Sequence, residues 1–396
     1  MRVVSVFAWL DSDDTQQQKM RQLIELFKDE STVDELGIGT IRDTIANELF
    51  PGTSVLQTRV RYLLFIPWLV RDVAAHHYPS DVALTRLRSQ EARLIDSLLA
   101  GGETGGVIGR QAKAKLKSMP SNAYWAGLHR FGIRTWDLSI AEHYRAVAGH
   151  LANLAQEPGD DSQSGPDLGL DPALPAMPEE LLQVAEFSLT PDEASYLQSR
   201  IAQACPRSLL AWLALEGQTS DCDDIWEHDQ LHDFPPEHQS LLDHGRRFHH
   251  AIHGAALIYN LLLAEKRDDS ELIDGYRDAL ELWRSDLAAN QVFDSWVSSD
   301  FWTTLASLNP RIHPATKSFV DQWFELARDG GDLADDESAR RLITERERKL
   351  KGGRARLANA TALDAWTGRS GLVRLDYRWS IASRHLNDIY AGLEAS

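Results

Sequence analysis

Apolar positions recur with a helical period along most of this chain. Met20, Leu23, Ile24 and Phe27 fall at i, i+3, i+4 and i+7, and the same spacing runs through Leu241 to Glu265, Leu272 to Leu287 and Leu375 to Leu393. Such a stripe sets one apolar face against a core and leaves the others to water, which predicts an amphipathic helix in each segment. Start signals agree. Thr190-Pro-Asp-Glu193 places a hydroxyl at the N-cap, proline at the first helical position and a carboxylate three residues after the cap. Alternation with a period of two is weak and confined to Val3–Trp9, and no succession of strand and helix patterns points to a parallel sheet. The expected fold is an all-α, multi-helix globular protein with at most a short N-terminal strand.

One stretch breaks the periodicity. From Glu157 to Pro178 the chain is rich in Pro, Gly, Ser and acid, a composition with too little apolar surface to order itself. It predicts a linker or loop over 156–178, between an N-terminal helical region (1–155) and a C-terminal one (179–396). The sequence shows no repeat at solenoid period. With 396 residues the chain can bury a substantial core without staples. Its cysteines, Cys205 and Cys222, fit neither a zinc spacing nor a secreted disulfide scaffold, which points to a reducing, cytoplasmic setting. The longest apolar run, Tyr62 to Val70, contains Pro67 and is far shorter than the roughly 20 residues that span a bilayer. The N-terminus lacks the small-residue cleavage site of a signal peptide. No membrane association is expected.

Charge changes the picture. A net charge of -18 opposes non-specific binding of the whole molecule to phosphate. The acid is concentrated in the middle, however: 156–199 carries ten acidic residues and 216–243 nine, with no Lys or Arg in either. Conversely, Thr104 to Trp136 holds Arg110, Lys113, Lys115, Lys117, Arg130 and Arg134 with no acid, and Gln57 to Arg71 holds Arg59, Arg61 and Arg71 with none. Segregation of this kind permits a local positive surface on an acidic protein. The basic island and the Arg59/Arg61 region are expected on one concave face, with the acidic middle turned away.

Several segments carry a resemblance to a known family. They are Phe7-Ala-Trp-Leu-Asp, Asp34-Glu-Leu-Gly-Ile-Gly-Thr-Ile-Arg-Asp, and Leu49-Phe-Pro-Gly-Thr-Ser followed by Gln57-Thr-Arg-Val-Arg-Tyr. Further along come Ser121-Asn-Ala-Tyr-Trp-Ala-Gly-Leu, His253-Gly-Ala-Ala-Leu-Ile-Tyr-Asn-Leu and Leu375-Asp-Tyr-Arg-Trp. Together they span nearly the whole chain. The chain resembles a bacterial domain-of-unknown-function family found among phage-defence genes, one branch of which, the Brig-type anti-phage proteins, is associated with DNA glycosylase activity. The resemblance implies an enzyme that flips and excises glucosylated 5-hydroxymethylcytosine from phage duplex DNA and leaves abasic sites. It implies no metal or nucleotide cofactor.

A glycosylase needs cations for phosphates, rings or wedges to hold an extruded nucleotide, and a carboxylate to stabilise the sugar cation and activate water. Lys113, Lys115, Lys117, Arg130 and Arg134, interleaved with Tyr124, Trp125, His129 and Trp136, suit backbone binding plus stacking, although rings at helical spacing equally suit a buried face. Arg59 and Arg61 are further DNA-contact candidates. Asp11 and Asp43 are the candidate catalytic carboxylates: Asp11 follows an apolar stretch, and Asp43 stands beside Arg42 on a helix with an apolar far face. Leu36-Gly-Ile-Gly-Thr40 could aim helix amides at a phosphate. His253, Tyr259 and Asn260, and Asp376, Tyr377, Arg378 and Trp379, could line a base or sugar pocket, or simply pack helices. Seven histidines fall between His228 and His253, without a matching second cluster to make a metal site.

Two alternatives stay open beside the glycosylase. One is a non-enzymatic DNA-binding or adaptor subunit of a multi-gene phage-defence system, with protein partners unspecified. The other is a metal-dependent nuclease built on Asp11, Asp13 and Asp14.

Overall fold

The helical stripes fold as helices in a computed structural model of the chain, which describes residues 34–156, 167–372 and 375–395. The Met20–Phe27 stripe and the expected strand at Val3–Trp9 lie outside the described residues. Among the described residues there are fourteen α-helices: α1 (Gly39–Leu49), α2 (Tyr62–Ala74), α3 (Ser80–Ala100), α4 (Pro120–Arg130), α5 (Ile140–Gln156), α6 (Pro191–Ala204), α7 (Leu209–Glu216), α8 (Pro236–Lys266), α9 (Ser270–Ala289), α10 (Ser298–Leu308), α11 (Pro314–Arg328), α12 (Glu337–Lys351), α13 (Ala360–Asp364) and α14 (Trp379–Glu394). An isolated antiparallel bridge, Arg134 to Leu170, is the extent of β-structure among those residues. The fold is all-α.

The chain divides into two units, each made of two separate segments: Met1–Thr44 with Asp243–Leu375, and Ile45–Leu242 with Asp376–Ser396. The division does not follow the Pro/Gly/Ser-rich stretch. The later residues of that stretch are bonded within the second unit: Thr135 N donates to Gly169 O (3.0 Å), Asp171 N to Ile133 O (2.9 Å) and Trp68 Nε1 to Pro175 O (2.7 Å). A stretch too polar to form a core can still be pinned through its backbone carbonyls, which composition does not report.

In the first unit, the stripe of α9 buries Tyr276, Leu280, Trp283 and Leu287. Trp283 and Trp323 donate through Nε1 to the carbonyls of His250 (2.7 Å) and Ala251 (2.8 Å) on α8. Gly254 makes this approach possible, since a Cβ there would lie 2.3 Å from the Trp283 ring. A polar cluster is also buried. Glu347, fully buried, accepts from Tyr259 Oη (2.7 Å), Arg356 N (2.8 Å), Leu357 N (3.1 Å) and Lys351 Nζ (3.4 Å), while Glu35, also buried, accepts from Arg356 Nη1 (2.8 Å) and Lys351 Nζ.

In the second unit, α2 is the apolar run read from the sequence, and it is buried from Tyr62 to Val70 on every face. A helix apolar all round belongs inside a core. It packs on α3, α4 and α5, while α14 packs on α6 and α7. The Thr190–Glu193 capping box forms as predicted at the start of α6. Gly392 of α14 lets the two helices touch, a Cβ there meeting Ala194 at 2.8 Å. No described helix is long and apolar enough to cross a membrane.

Candidate functional site

α3 turns its stripe of Ala83, Leu87, Leu94, Ile95 and Leu98 toward the core of the second unit, and Glu91 stands in the middle of it. This carboxyl is 1% exposed. α4 begins with proline at its first position, so the next amide has no partner inside the helix. Ser121 N donates to Glu91 Oε1 (2.7 Å) and Ser121 Oγ to Oε2 (3.1 Å). Burial outweighs these bonds and the charge of Arg88, and pushes the Glu91 carboxyl up to about 7. A group poised there can exchange a proton near neutrality, as acid–base catalysis requires.

Glu91 lines a cleft of about 810 Å³, which also takes in Arg88, Asn122, Trp125, His129, Arg134 and Asp137. That volume falls within the roughly 300–1,000 Å³ common for small-molecule sites. Trp125 is held at its wall: Nε1 donates to Leu138 O (2.8 Å), the Arg134 guanidinium lies 4.7 Å over the ring, and His143 meets its edge at 5.4 Å. His143 is buried between Trp125 and Trp136, and burial, helped by the Arg134 charge, brings its imidazole down to about 4. The cleft therefore joins one aromatic ring, one desolvated carboxyl and several hydrogen-bonding groups. Among the described residues, no group of three or more His, Cys, Asp or Glu side chains is arranged to hold a metal ion.

The candidates read from the sequence separate into three groups. Trp125 and Arg134 line this cleft, and Lys115, Lys117 and Arg130 are exposed in the same unit. Lys113, beside them, pairs with the exposed Asp96 (2.7 Å).

The second group serves the fold. Tyr124 is fully buried, and its hydroxyl accepts from Thr58 N (2.7 Å) and Arg59 N (3.1 Å), so it offers no free ring face for stacking. Arg61 is buried against Glu193 (2.8 Å) and Glu186 O (2.8 Å). Arg59 makes a forked pair with Asp388 (2.8 to 3.0 Å) over the Phe187 ring. Arg134 spends its guanidinium on the carbonyls of Trp136, Leu138 (2.9 Å) and Trp125 (3.4 Å). Arg59, Arg61 and Arg134 thus direct their guanidinium groups to carboxylates or carbonyls of the fold. Asp376, Tyr377 and Arg378 form the turn before α14, whose first residue is Trp379, rather than adjacent faces of a helix: Tyr377 and Arg378 have positive φ (51° and 69°), and Asp376 accepts from Ser380 N (3.2 Å). Trp379 is buried, donating to Cys222 O (2.9 Å).

The third group belongs to the first unit. Tyr259 sits in the buried Glu35–Glu347 network, and Asn260 donates to Ala256 O (2.8 Å) and Ser370 O (2.7 Å). His253 lies half-buried on α8. Asp43, 45% exposed at its side chain, pairs with Arg42 (3.1 Å). The helix amides of the Gly37/Gly39 turn are already taken, since Asp34 accepts from Ile38 N (2.8 Å) and Gly39 N (2.6 Å). Asp11, Asp13 and Asp14 lie outside the described residues.

Sequence reasoning missed Glu91. The available signal was an acid at the centre of an apolar stripe, Leu87-Glu91-Leu94-Leu98, where a charge has no reason to be unless it is used or paired.

A second hollow of about 700 Å³, edged by Arg59, Arg384, Asn387 and Asp388, has no aromatic ring in its lining. Neither a curated protein nor a solved structure matches the chain. Residues 4–392 match DUF6361, described as a family of unknown function, and the chain belongs to that family.

Proposed function

We propose that the Glu91 cleft hydrolyses an N-glycosidic bond in DNA. The observation that carries this reading is a desolvated carboxyl, titrating near 7, in a cleft walled by Trp125 within the basic and aromatic island. Cations on the surrounding surface, Lys115, Lys117 and Arg130, hold the phosphates. The extruded base lies against Trp125 and bonds to the polar wall. Ionised Glu91 faces the positive charge that develops on the sugar as the C1′–N bond breaks, and takes a proton from the water that attacks C1′. The base departs with the bonding electron pair and takes up the proton that Glu91 received from the water, which restores the carboxylate and leaves an abasic site. The family resemblance supports a phage duplex as substrate and glucosylated 5-hydroxymethylcytosine as the base removed.

One observation favours the non-enzymatic DNA-binding or adaptor reading: both Glu91 oxygens already accept bonds from Ser121, as a purely structural carboxylate would. Single-turnover base release separates the two. Purified protein is incubated with glucosylated and unmodified duplexes, and abasic sites are then broken with hot alkali. Release from the glucosylated duplex is expected to fall by about 10² to 10⁴ in Glu91→Gln with DNA affinity unchanged. Wild-type release by a folded Glu91→Gln would remove Glu91 from the chemistry. Absence of release by the wild type would favour the adaptor, and EDTA-sensitive strand cutting without alkali would favour a nuclease.

A further inference from the structure

We propose that Val55 and Leu56 form a preformed apolar wedge that enters the base stack of double-stranded DNA. The proposal rests on the glycosidic reading above and extends it to how the nucleotide leaves the duplex. Val55 and Leu56 are 59% and 63% exposed, adjacent at the tip of the loop between α1 and α2. Apolar side chains at a loop tip gain nothing from the fold. The loop beneath them is nevertheless tightly built. Gln57, 2% exposed, accepts from Ser54 N (3.3 Å) and donates to Gly52 O (3.1 Å) and to Ala123 O of α4 (3.3 Å). Thr53 Oγ1 donates to Phe50 O (2.6 Å), and Arg378 Nη1 to Thr53 O (3.0 Å). Gly52, at φ 81°, sits so close to the end of α4 that a Cβ would meet the Phe131 ring at 2.5 Å, and a Cβ on Gly127 would meet Gly52 O at 2.6 Å.

Two features choose the occupant. Two aliphatic side chains supply only a small part of the roughly 800 Å² per partner that a stable protein interface buries, whereas one or two are what a wedge between base steps uses. The loop is also clamped to α4, the helix that carries Trp125 into the Glu91 cleft, so wedge and cleft share a rigid support. A wedge held in place before binding loses little freedom when it enters the stack.

The test uses the full chain and a duplex carrying 2-aminopurine, whose fluorescence rises on unstacking. Wild type is expected to raise the signal on binding. Val55→Ser/Leu56→Ser should leave it near that of the free duplex and bind the duplex at least tenfold more weakly, while binding single-stranded DNA within twofold of wild type. Both positions are exposed, so an unchanged melting temperature confirms that the variant is folded. Wild-type unstacking by the double variant overturns the wedge, as does a variant that binds duplex normally but dissociates an oligomer into monomers. Base release at the wild-type rate by the double variant sinks the wedge and leaves the glycosidic reading standing. Unstacking by wild type without any base release does the reverse, and failure of the wild type to bind duplex overturns both.

Discussion

Each unit buries carboxylates, and the two settings differ in what surrounds the charge. In the first unit, Glu347 and Glu35 share Lys351, Arg356, the Tyr259 hydroxyl and two backbone amides, so the charges balance and each oxygen has its donors. In the second, among the described residues Glu91 has Ser121 alone for hydrogen bonds, and it opens on a cleft. Burial with full pairing holds a charge in place and makes a joint. Burial with one neutral partner holds back ionisation and leaves a proton available. The difference argues for a structural role in one case and a chemical role in the other.

The largest effect on stability is expected where pairing is complete. Glu347→Ala takes the acceptor from the Tyr259 hydroxyl and from the amides of Arg356 and Leu357, leaves Glu35 alone to balance Lys351 and Arg356, and should cost about 3 to 5 kcal/mol in urea denaturation. A loss below about 1 kcal/mol would show that the network is no joint and would erase the contrast.

Next in size is a pH dependence at Glu91. Glu91 titrates near 7 in the fold against 4.5 ordinarily, so its contribution to folding is fully present below about pH 4.5 and is lost as pH rises through about 7. The swing is on the order of 3 kcal/mol. Glu91→Gln should remove that segment of the stability profile, gaining on wild type between pH 4.5 and 8. Parallel profiles for the two proteins would show an ordinary carboxylate.

The smallest effects belong to the exposed cations. Replacing Lys115 or Lys117 with Gln should leave stability within about 0.5 kcal/mol and reduce the salt dependence of DNA binding by about one counterion each. An unchanged slope in both would take the island out of the interface.

How much of this was legible along the chain depended on the distance to the partner. The α9 stripe and the Thr190–Glu193 box are local, made by residues within a few turns of one another, and both appear as expected. Arg59 and Arg61 read as open cations because their carboxylates, Asp388 and Glu193, come 329 and 132 residues later. Glu91 was silent for the same reason: what desolvates it is α4, whose Ser121 lies 30 residues on. The start of α14 was misplaced because the apolar period continues through Tyr377, while the backbone at Tyr377 and Arg378 is left-handed and delays the helix to Trp379.

The pairing of Arg59 with Asp388 also sets an order of events during synthesis. A ribosome adding about 5–20 residues per second needs about 15 to 65 s to cover the 329 residues between them. Over about the second half of that interval α6 and α7 have been made without α14, and Leu189 and Ala194 lack the Gly392 surface that covers them. The second unit is therefore a late-closing body, finished only when the last described helix arrives, and until then it exposes apolar surface to whatever binds nascent chains.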